Sequence, residues 1–168
     1  MVKDINPQLI KKQLEESSAN TYTETSFDLP VMLQGAKPIV IELLRVWIDC
    51  SSCLEEEAGA RNEAETFMSM REMGALPPDG LADPFVLTHT SIESRGGGAG
   101  MAFIKHPNYI YDFTDGKGNG ILIAVPKLWV CIQGTGNTGA KTGRWMLLYR
   151  LKSLSATELT GLIMQFSG

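Results

Sequence analysis

Residues 121–154, ILIAVPKLWVCIQGTGNTGAKTGRWMLLYRLKSL, decide the fold class of this chain. Within them, two apolar runs, Leu128–Gln133 and Arg144–Leu154, are separated by a glycine-rich loop, with no helical segment between them. The second run alternates at its end, so that Arg150 and Lys152 lie on one face of a strand. Apolar runs joined by glycine-rich turns are typical of strands in an antiparallel sheet.

Segments of the same kind occur through most of the chain. The run Ile39–Ile48 is β-branched and nearly continuous, as in a strand that is covered on both faces. Together the segments amount to eight or so strands without helical crossovers, which predicts an all-β fold, an antiparallel sandwich or barrel. The other predicted strands are Phe27–Leu29, Phe85–Ile92, Met101–Lys105, Tyr109–Phe113 and Ile121–Val125.

Three segments have helix signals. Asn6 is a good N-cap and Pro7 suits the first helical position, which predicts a short helix over Asn6–Glu16. The segment Glu55–Met73 is rich in Glu, Ala and Met and begins with three glutamates, which favour a helix N-terminus. The segment Ser155–Glu158 has the spacing of a capping box and predicts a helical turn.

The polar stretch Ser17–Ser26 divides the predicted helix near the N-terminus from the first strand and is typical of an arm or linker. We therefore expect residues 1–26 to form an N-terminal arm with a short helix, and residues 27–168 to form the β-sandwich, with a helical insertion at about residues 55–73. The apolar residues of the arm are too few for a core and too many for a free tail, which predicts that the arm lies against neighbouring subunits.

Composition excludes several classes of protein. The chain has 168 residues, of which 43% are hydrophobic and 20% charged, as expected for one globular domain. No apolar run approaches the roughly 18 residues of a membrane span, and the N-terminus lacks the apolar core of a signal peptide. The three cysteines, an odd number, argue against a disulfide framework. These observations argue against a membrane protein, a secreted mini-domain and a disordered chain.

The charge is unevenly distributed along the chain. The net charge is −4, yet residues 101–168 contain seven basic and three acidic residues. This basic part allows weak, sequence-independent contact with a polyanion such as nucleic acid. For Arg150 and Lys152, an equally good interpretation is that they solvate the outer face of a strand. The candidate contact residues are Lys11, Lys12, Lys141, Arg144, Arg150 and Lys152.

The loop Gly134–Gly139 matches the pattern G-x-G-x-x-G, which often binds nucleotide phosphates. That function requires a helix directly after the loop, because the free N–H groups of a helix N-terminus bind the phosphate. Here Arg144–Leu154 follows, which is predicted to be a strand. We therefore expect a hairpin loop at this position and no bound nucleotide.

Three other patterns are too incomplete to predict a catalytic or metal site. The C-x-x-C pattern Cys50–Cys53 lacks the further ligands of a zinc site and favours buried small residues at the end of a strand. The loop Asp115–Gly120 has a lysine where a calcium loop needs an oxygen ligand, and favours a tight turn. Only two histidines are present, and neither lies near a nucleophile in the sequence. We expect no catalytic residues, no metal and no cofactor.

The C-terminal third resembles the end of capsid proteins from small environmental viruses, particularly circular single-stranded DNA viruses. The resemblance covers roughly residues 110–165 and depends on the order of the segments. One departure is that such capsids often begin with an arm rich in Arg and Lys, whereas residues 1–30 here are net acidic. The segments that carry the resemblance are Asp112–Ala124, Leu128–Val130, Trp145–Lys152, Leu154–Glu158 and Gly161–Gln165.

The resemblance implies a structural viral protein that is not an enzyme. It implies a single jelly-roll β-sandwich that self-assembles into a closed icosahedral shell around the genome. The expected partners are further copies of the chain and packaged nucleic acid, with no membrane. The expected location is the virion, assembled in the host cell.

Two other functions remain open on the residues alone. The first is a ligand- or carbohydrate-binding β-sandwich module that uses its glycine-rich loops. The second is a small enzyme on a jelly-roll scaffold, which the two isolated histidines disfavour, because metal sites in such scaffolds usually need histidine clusters.

Overall fold

The structure is a computed structural model that describes residues 6–35, 37–51, 61–74, 80–96, 102–105 and 110–165. In these ranges the chain forms ten strands, one short 3-10 turn at Gly80–Ala82 and one α-helix. The strands are β1 (Gln8–Glu15), β2 (Thr23–Asp28), β3 (Ile39–Cys50), β4 (Arg61–Ser69), β5 (Val86–Gly96), β6 (Ala102–Lys105), β7 (Ile110–Asp112), β8 (Ile121–Ile123), β9 (Lys127–Thr135) and β10 (Thr142–Ser153), and the helix is α1 (Ala156–Gln165).

The strands form two antiparallel sheets of five strands each. The first sheet has the order β1-β10-β3, with β7 and β8 both pairing with the far side of β3. The second sheet has the order β2-β9-β4-β5-β6. The chain changes sheet between β1 and β2, again between β2 and β3, and again between β3 and β4, so sequence neighbours rarely pair. This strand order is that of a jelly roll, in which two Greek keys wind eight strands into a double sheet. The predicted all-β jelly-roll sandwich is confirmed.

The core lies between the two sheets and is built mainly from alternate residues of the long strands. On β10, Trp145, Leu147 and Tyr149 are buried, whereas the residues between them are more exposed. This alternation follows from the two-residue period of a strand, which turns every second side chain toward the core. Strand β3 is buried on both faces over its first half, as its continuous apolar run predicts. Tyr111 on β7 crosses the core, where its hydroxyl donates a hydrogen bond to the His89 carbonyl of the second sheet.

The predicted helix over Asn6–Glu16 is wrong, because residues 8–15 form strand β1. Ile10 and Leu14 pack against the core, and a spacing of four residues places two side chains on one face of either a helix or a strand. Pairing with β10 decides between the two, since every residue of β1 has a partner there. Strands β1 and β2 thus give no support to a separate arm over residues 1–26. Contact of these residues with neighbouring subunits stays a prediction.

The predicted helix over Glu55–Met73 is wrong where the structure describes it, since residues 61–69 form strand β4. Residues 55–60 lie outside the described part. The segment is rich in good helix formers, but β4 pairs with β9 on one side and with β5 on the other. Helix propensity is worth a few tenths of a kcal/mol per residue, and two ladders of hydrogen bonds with a buried face override it.

The predicted helical turn at Ser155 is confirmed and begins helix α1. The Ser155 hydroxyl accepts a hydrogen bond from the Glu158 backbone N–H (3.3 Å), and the Glu158 carboxylate accepts one from the Ser155 N–H (2.7 Å). This reciprocal pair is a capping box, which satisfies N–H groups that have no partner within the helix. Among the described residues, no helix is long and apolar enough to cross a membrane.

Candidate nucleic-acid interface

The six basic residues predicted to contact nucleic acid lie in three separate places. Three of them line a groove on the outer face of the first sheet, two flank a buried glutamate near the other end of β10, and one is buried in a loop. The structure therefore divides the predicted set. The groove contains Lys11, Lys12 and Arg144, the second place contains Arg150 and Lys152, and the loop contains Lys141.

An apolar row crosses the groove at the middle of the first sheet. Lys11 on β1 pairs with Met146 on β10, and Met146 pairs with Trp47 on β3. The next residue in the row is Ile110 on β7, which is 45% exposed. Because paired residues of neighbouring strands project from the same face, these side chains form one continuous surface. The Trp47 and Met146 side chains therefore lie on the floor of the groove, which has a volume of about 380 Å³.

A polar row lies beside the apolar row, two residues away from it on each strand. Gln13, Arg144 and Asp49 occupy the three strands in register. The Arg144 Nη1 lies 3.0 Å from the Asp49 Oδ2, and both side chains are about half exposed or more. Exposed ion pairs of this kind are worth less than about 1 kcal/mol, so Arg144 is available to exchange its partner for another anion.

Arg45 adds a further cation to the same face of β3. Its guanidinium carbon lies 5.6 Å from the centre of the Trp47 ring, within the range of a cation–π interaction. Arg45 also forms an ion pair with Asp112 on β7, which holds the guanidinium beside the ring. Hydrogen bonds from Thr114, together with Arg45, lower the pKa of Asp112 to about 2, so this carboxylate is ionised at neutral pH.

Arg150 and Lys152 both contact Glu42, which is buried on the outer side of β3. The Arg150 Nε donates to one carboxylate oxygen, and the Gly120 N–H donates to the other (3.1 Å). Burial by itself would raise the pKa of Glu42, but the hydrogen bonds and the two positive charges outweigh it, and the pKa is lowered. These two basic residues therefore share an internal partner, unlike Lys11, for which the described residues show no ion pair.

Replacing Glu42 by glutamine is expected to lower the free energy of unfolding by about 2 kcal/mol at pH 7. A carboxylate with a lowered pKa in the folded state stabilises the fold above its unfolded pKa of about 4.3, and this contribution disappears as the pH falls through the folded pKa. The difference between the native chain and Glu42→Gln should therefore shrink below about pH 4. Urea unfolding at several pH values measures it. A difference that does not depend on pH would contradict the assignment.

Lys141 lies in the glycine-rich loop and is buried. Its backbone N–H donates to the carboxylate of Glu16 (2.8 Å), and the same carboxylate accepts from the backbone N–H of Gly134. The loop joins two strands, β9 and β10, as predicted. Two of its N–H groups, which a phosphate would need, are thus engaged by a side chain of the protein itself.

The loop Asp115–Gly120 and the C-x-x-C pattern Cys50–Cys53 form no metal site among the described residues. The Asp115 carboxylate accepts hydrogen bonds from the N–H groups of Lys117 and Asn119, which closes a tight turn. Cys50 is buried at the end of β3, and Cys53 lies outside the described residues. Within the described ranges, no group of three His, Cys, Asp or Glu side chains is placed to hold a metal ion.

Trp47, Met146 and Arg45 were missed as site residues from the sequence. Alternation along β3 places Arg45, Trp47 and Asp49 on one face, and this signal was present in the sequence. What was missing is the order of the strands, which places the outer faces of β1, β10 and β3 side by side.

Comparisons with solved structures agree with the jelly-roll fold described above. No protein-family model and no curated protein sequence matches the chain. Among solved structures, Merkel cell polyomavirus VP1 in complex with GD1a oligosaccharide is similar, with a TM-score of 0.53 and 8% identity over 92% of this chain and 98% of that chain. Human polyomavirus 12 VP1 in complex with 3′-sialyllactosamine has a TM-score of 0.53 and 9% identity over 89% of this chain and 100% of that chain. Trichodysplasia spinulosa-associated polyomavirus VP1 has a TM-score of 0.50 and 11% identity over 92% and 97%. The chain therefore has the jelly-roll fold that these VP1 proteins share.

Proposed function

We propose that the protein is a viral capsid protein that self-assembles into a closed icosahedral shell. The observation that carries the proposal is the strand order β1-β10-β3 in one sheet and β2-β9-β4-β5 in the other, which is the capsid jelly roll. The similarity to VP1 proteins extends over most of both chains. A resemblance in the C-terminal third of the sequence supports the same function independently of the fold.

Exposed apolar side chains on several sides of the subunit are consistent with neighbours on more than one side. Leu9 and Ile110 lie on the first sheet, Met32 precedes β3, and Leu81 lies in the 3-10 turn. Met164, near the end of α1, is 71% exposed. A shell subunit needs such separated contact surfaces because it meets several copies of itself.

The remaining details of the proposal concern the genome and the virus. We infer that the partners are further copies of the chain and packaged nucleic acid bound weakly and without base preference, and that the protein resides in the virion after assembly in the host cell. We also infer that it has no catalytic activity. The similar structures reported above come from polyomaviruses, so a source among circular single-stranded DNA viruses remains part of the proposal.

The size of the purified protein tests the assembly. A single chain has a mass of 18.4 kDa. We expect size-exclusion chromatography to give a species many times larger, and negative-stain microscopy to show closed particles of uniform diameter. A monomer over a wide range of protein and salt concentrations would overturn the proposal.

The second candidate is a carbohydrate-binding module, because two of the similar VP1 structures contain bound oligosaccharides. A glycan array separates the candidates when read together with particle size. A monomer that binds glycans would favour the module. Closed particles, with or without glycan binding, would favour the capsid protein.

A further inference from the structure

We propose that the groove on the outer face of β1, β10 and β3 binds single-stranded nucleic acid, with bases stacking on Trp47 and phosphates contacting Lys11 and Arg144. The inference rests on the proposed function only in that the packaged genome would supply the nucleic acid. The chemistry of the groove stands independently of it.

The floor of the groove suits a base. Trp47 is partly exposed, and Met146 lies beside it on the neighbouring strand. An aromatic side chain on the open face of a sheet provides a surface on which any base can stack, because every base has a flat π-face. The Arg45 guanidinium at 5.6 Å from the ring can stack on a base in the same way.

The charged rim suits a phosphate backbone. Two cations of the groove, Lys11 and Arg144, share the face of Trp47, against one acid, Asp49. Lys12 also lines the groove, but it pairs with the buried Trp145, so its side chain lies on the other face of β1. The excess of positive charge favours a polyanion over an apolar or acidic peptide. Among the described residues, the Arg144 side chain contacts Asp49 in an exposed ion pair and Gln13 at a long distance (3.4 Å), so a phosphate can replace these partners at small cost.

Single strands fit this surface better than duplexes do. In a duplex the base faces are stacked on one another and cannot reach an aromatic ring on a sheet, whereas a single strand presents them. Lys11 and Trp47 lie on opposite sides of β10, about 10 Å apart at the usual strand spacing. The phosphate contact at Lys11 and the base contact at Trp47 are thus separated across the sheet, as is required for a single nucleic-acid strand that lies over the face of the sheet.

The test measures binding of a fluorescein-labelled thymidine oligonucleotide of about 16 nucleotides by anisotropy. The full-length native chain is compared with Trp47→Leu and Lys11→Gln. We expect Trp47→Leu to weaken binding by roughly 5- to 100-fold, because it removes a stacking surface but keeps an apolar side chain. Lys11→Gln should lower the slope of log affinity against log salt by about 0.7, the value for one lost single-strand phosphate contact.

Matched controls lie on the second sheet. Trp129 on β9 is also partly exposed, and Lys127 on the same strand is 54% exposed. Trp129→Leu and Lys127→Gln should leave both affinity and salt slope unchanged. A duplex of the same length should bind more weakly than the single strand. Equal binding of duplex and single strand, or equal effects in test and control variants, would overturn the inference.

Particle size measured on the same samples separates this inference from the proposed function. Loss of oligonucleotide binding with particles intact supports the groove as the nucleic-acid site. Loss of particles in Trp47→Leu and Lys11→Gln, with oligonucleotide binding retained, would show that a second copy of the chain occupies the groove, and would contradict the inference. Oligonucleotide binding by a protein that never assembles would leave the groove supported and the capsid function refuted.

Discussion

Replacing Glu16 by alanine is expected to lower the free energy of unfolding by about 3 to 5 kcal/mol. The side chain is 4% exposed, and its carboxylate accepts hydrogen bonds from the backbone N–H groups of Thr21, Gly134 and Lys141. Thr21 belongs to the turn after β1, Gly134 to the end of β9, and Lys141 to the loop just before β10. Alanine would leave the buried N–H groups of Gly134 and Lys141 and the partly buried N–H of Thr21 without this acceptor, and each buried donor left unpaired costs about 1 to 3 kcal/mol.

Glu15→Ala is the matched control, because Glu15 is the last residue of β1 and is exposed. It should change stability by less than about 0.5 kcal/mol. Glu16→Gln keeps the size of the side chain and one acceptor oxygen but places an amide NH₂ against backbone donors, and should fall between the two. Urea unfolding at one protein concentration measures the series, since self-association adds apparent stability that depends on concentration. A loss below about 1 kcal/mol for Glu16→Ala would contradict the role of the carboxylate.

Replacing Gly136 by alanine is expected to destabilise the fold by about 2 to 4 kcal/mol. The residue has a φ of +72°, in the left-handed region that costs other residues about 1 to 2 kcal/mol. A Cβ there would also lie 2.4 Å from the Arg61 carbonyl oxygen. That oxygen belongs to the backbone at the start of β4, so it cannot move without disturbing the pairing of β4 with β5.

Gly139→Ala in the same loop is the control. Among the described residues, no atom lies within 4 Å of a Cβ at Gly139, and its φ is not positive. It should be neutral, or stabilise by a few tenths of a kcal/mol through the unfolded state. Similar losses for Gly136→Ala and Gly139→Ala in thermal unfolding would contradict the assignment of the cost to the positive φ and the close contact at Gly136.

For the glycine-rich loop, the local sequence predicted the element that follows the loop but not the residues that contact it. The strand predicted after Gly143 is part of β10, so the loop connects two strands, as the sequence predicts. The partners of the loop were beyond prediction. Asn20 and Asn137 exchange two hydrogen bonds at 2.8 Å across 117 residues of sequence, and Glu16 reaches the loop from a similar separation.

The sequence by itself determined the features that depend on local period and local hydrogen bonding. The alternation of β10, the continuous burial of β3 and the capping box of α1 each follow from neighbouring residues, and the structure has all three. Tertiary structure alone decided that β1 and β4 are strands and not helices. In β1, apolar residues four apart fit a helix or a strand, and in β4, glutamate and alanine favour a helix. Both segments are nevertheless strands, because hydrogen bonding to strands far away in the chain stabilises them more than helix formation would. The groove also depends on tertiary structure. The sequence of one strand predicts which face of the sheet a side chain occupies, but the register of β1, β10 and β3 decides which side chains lie beside it.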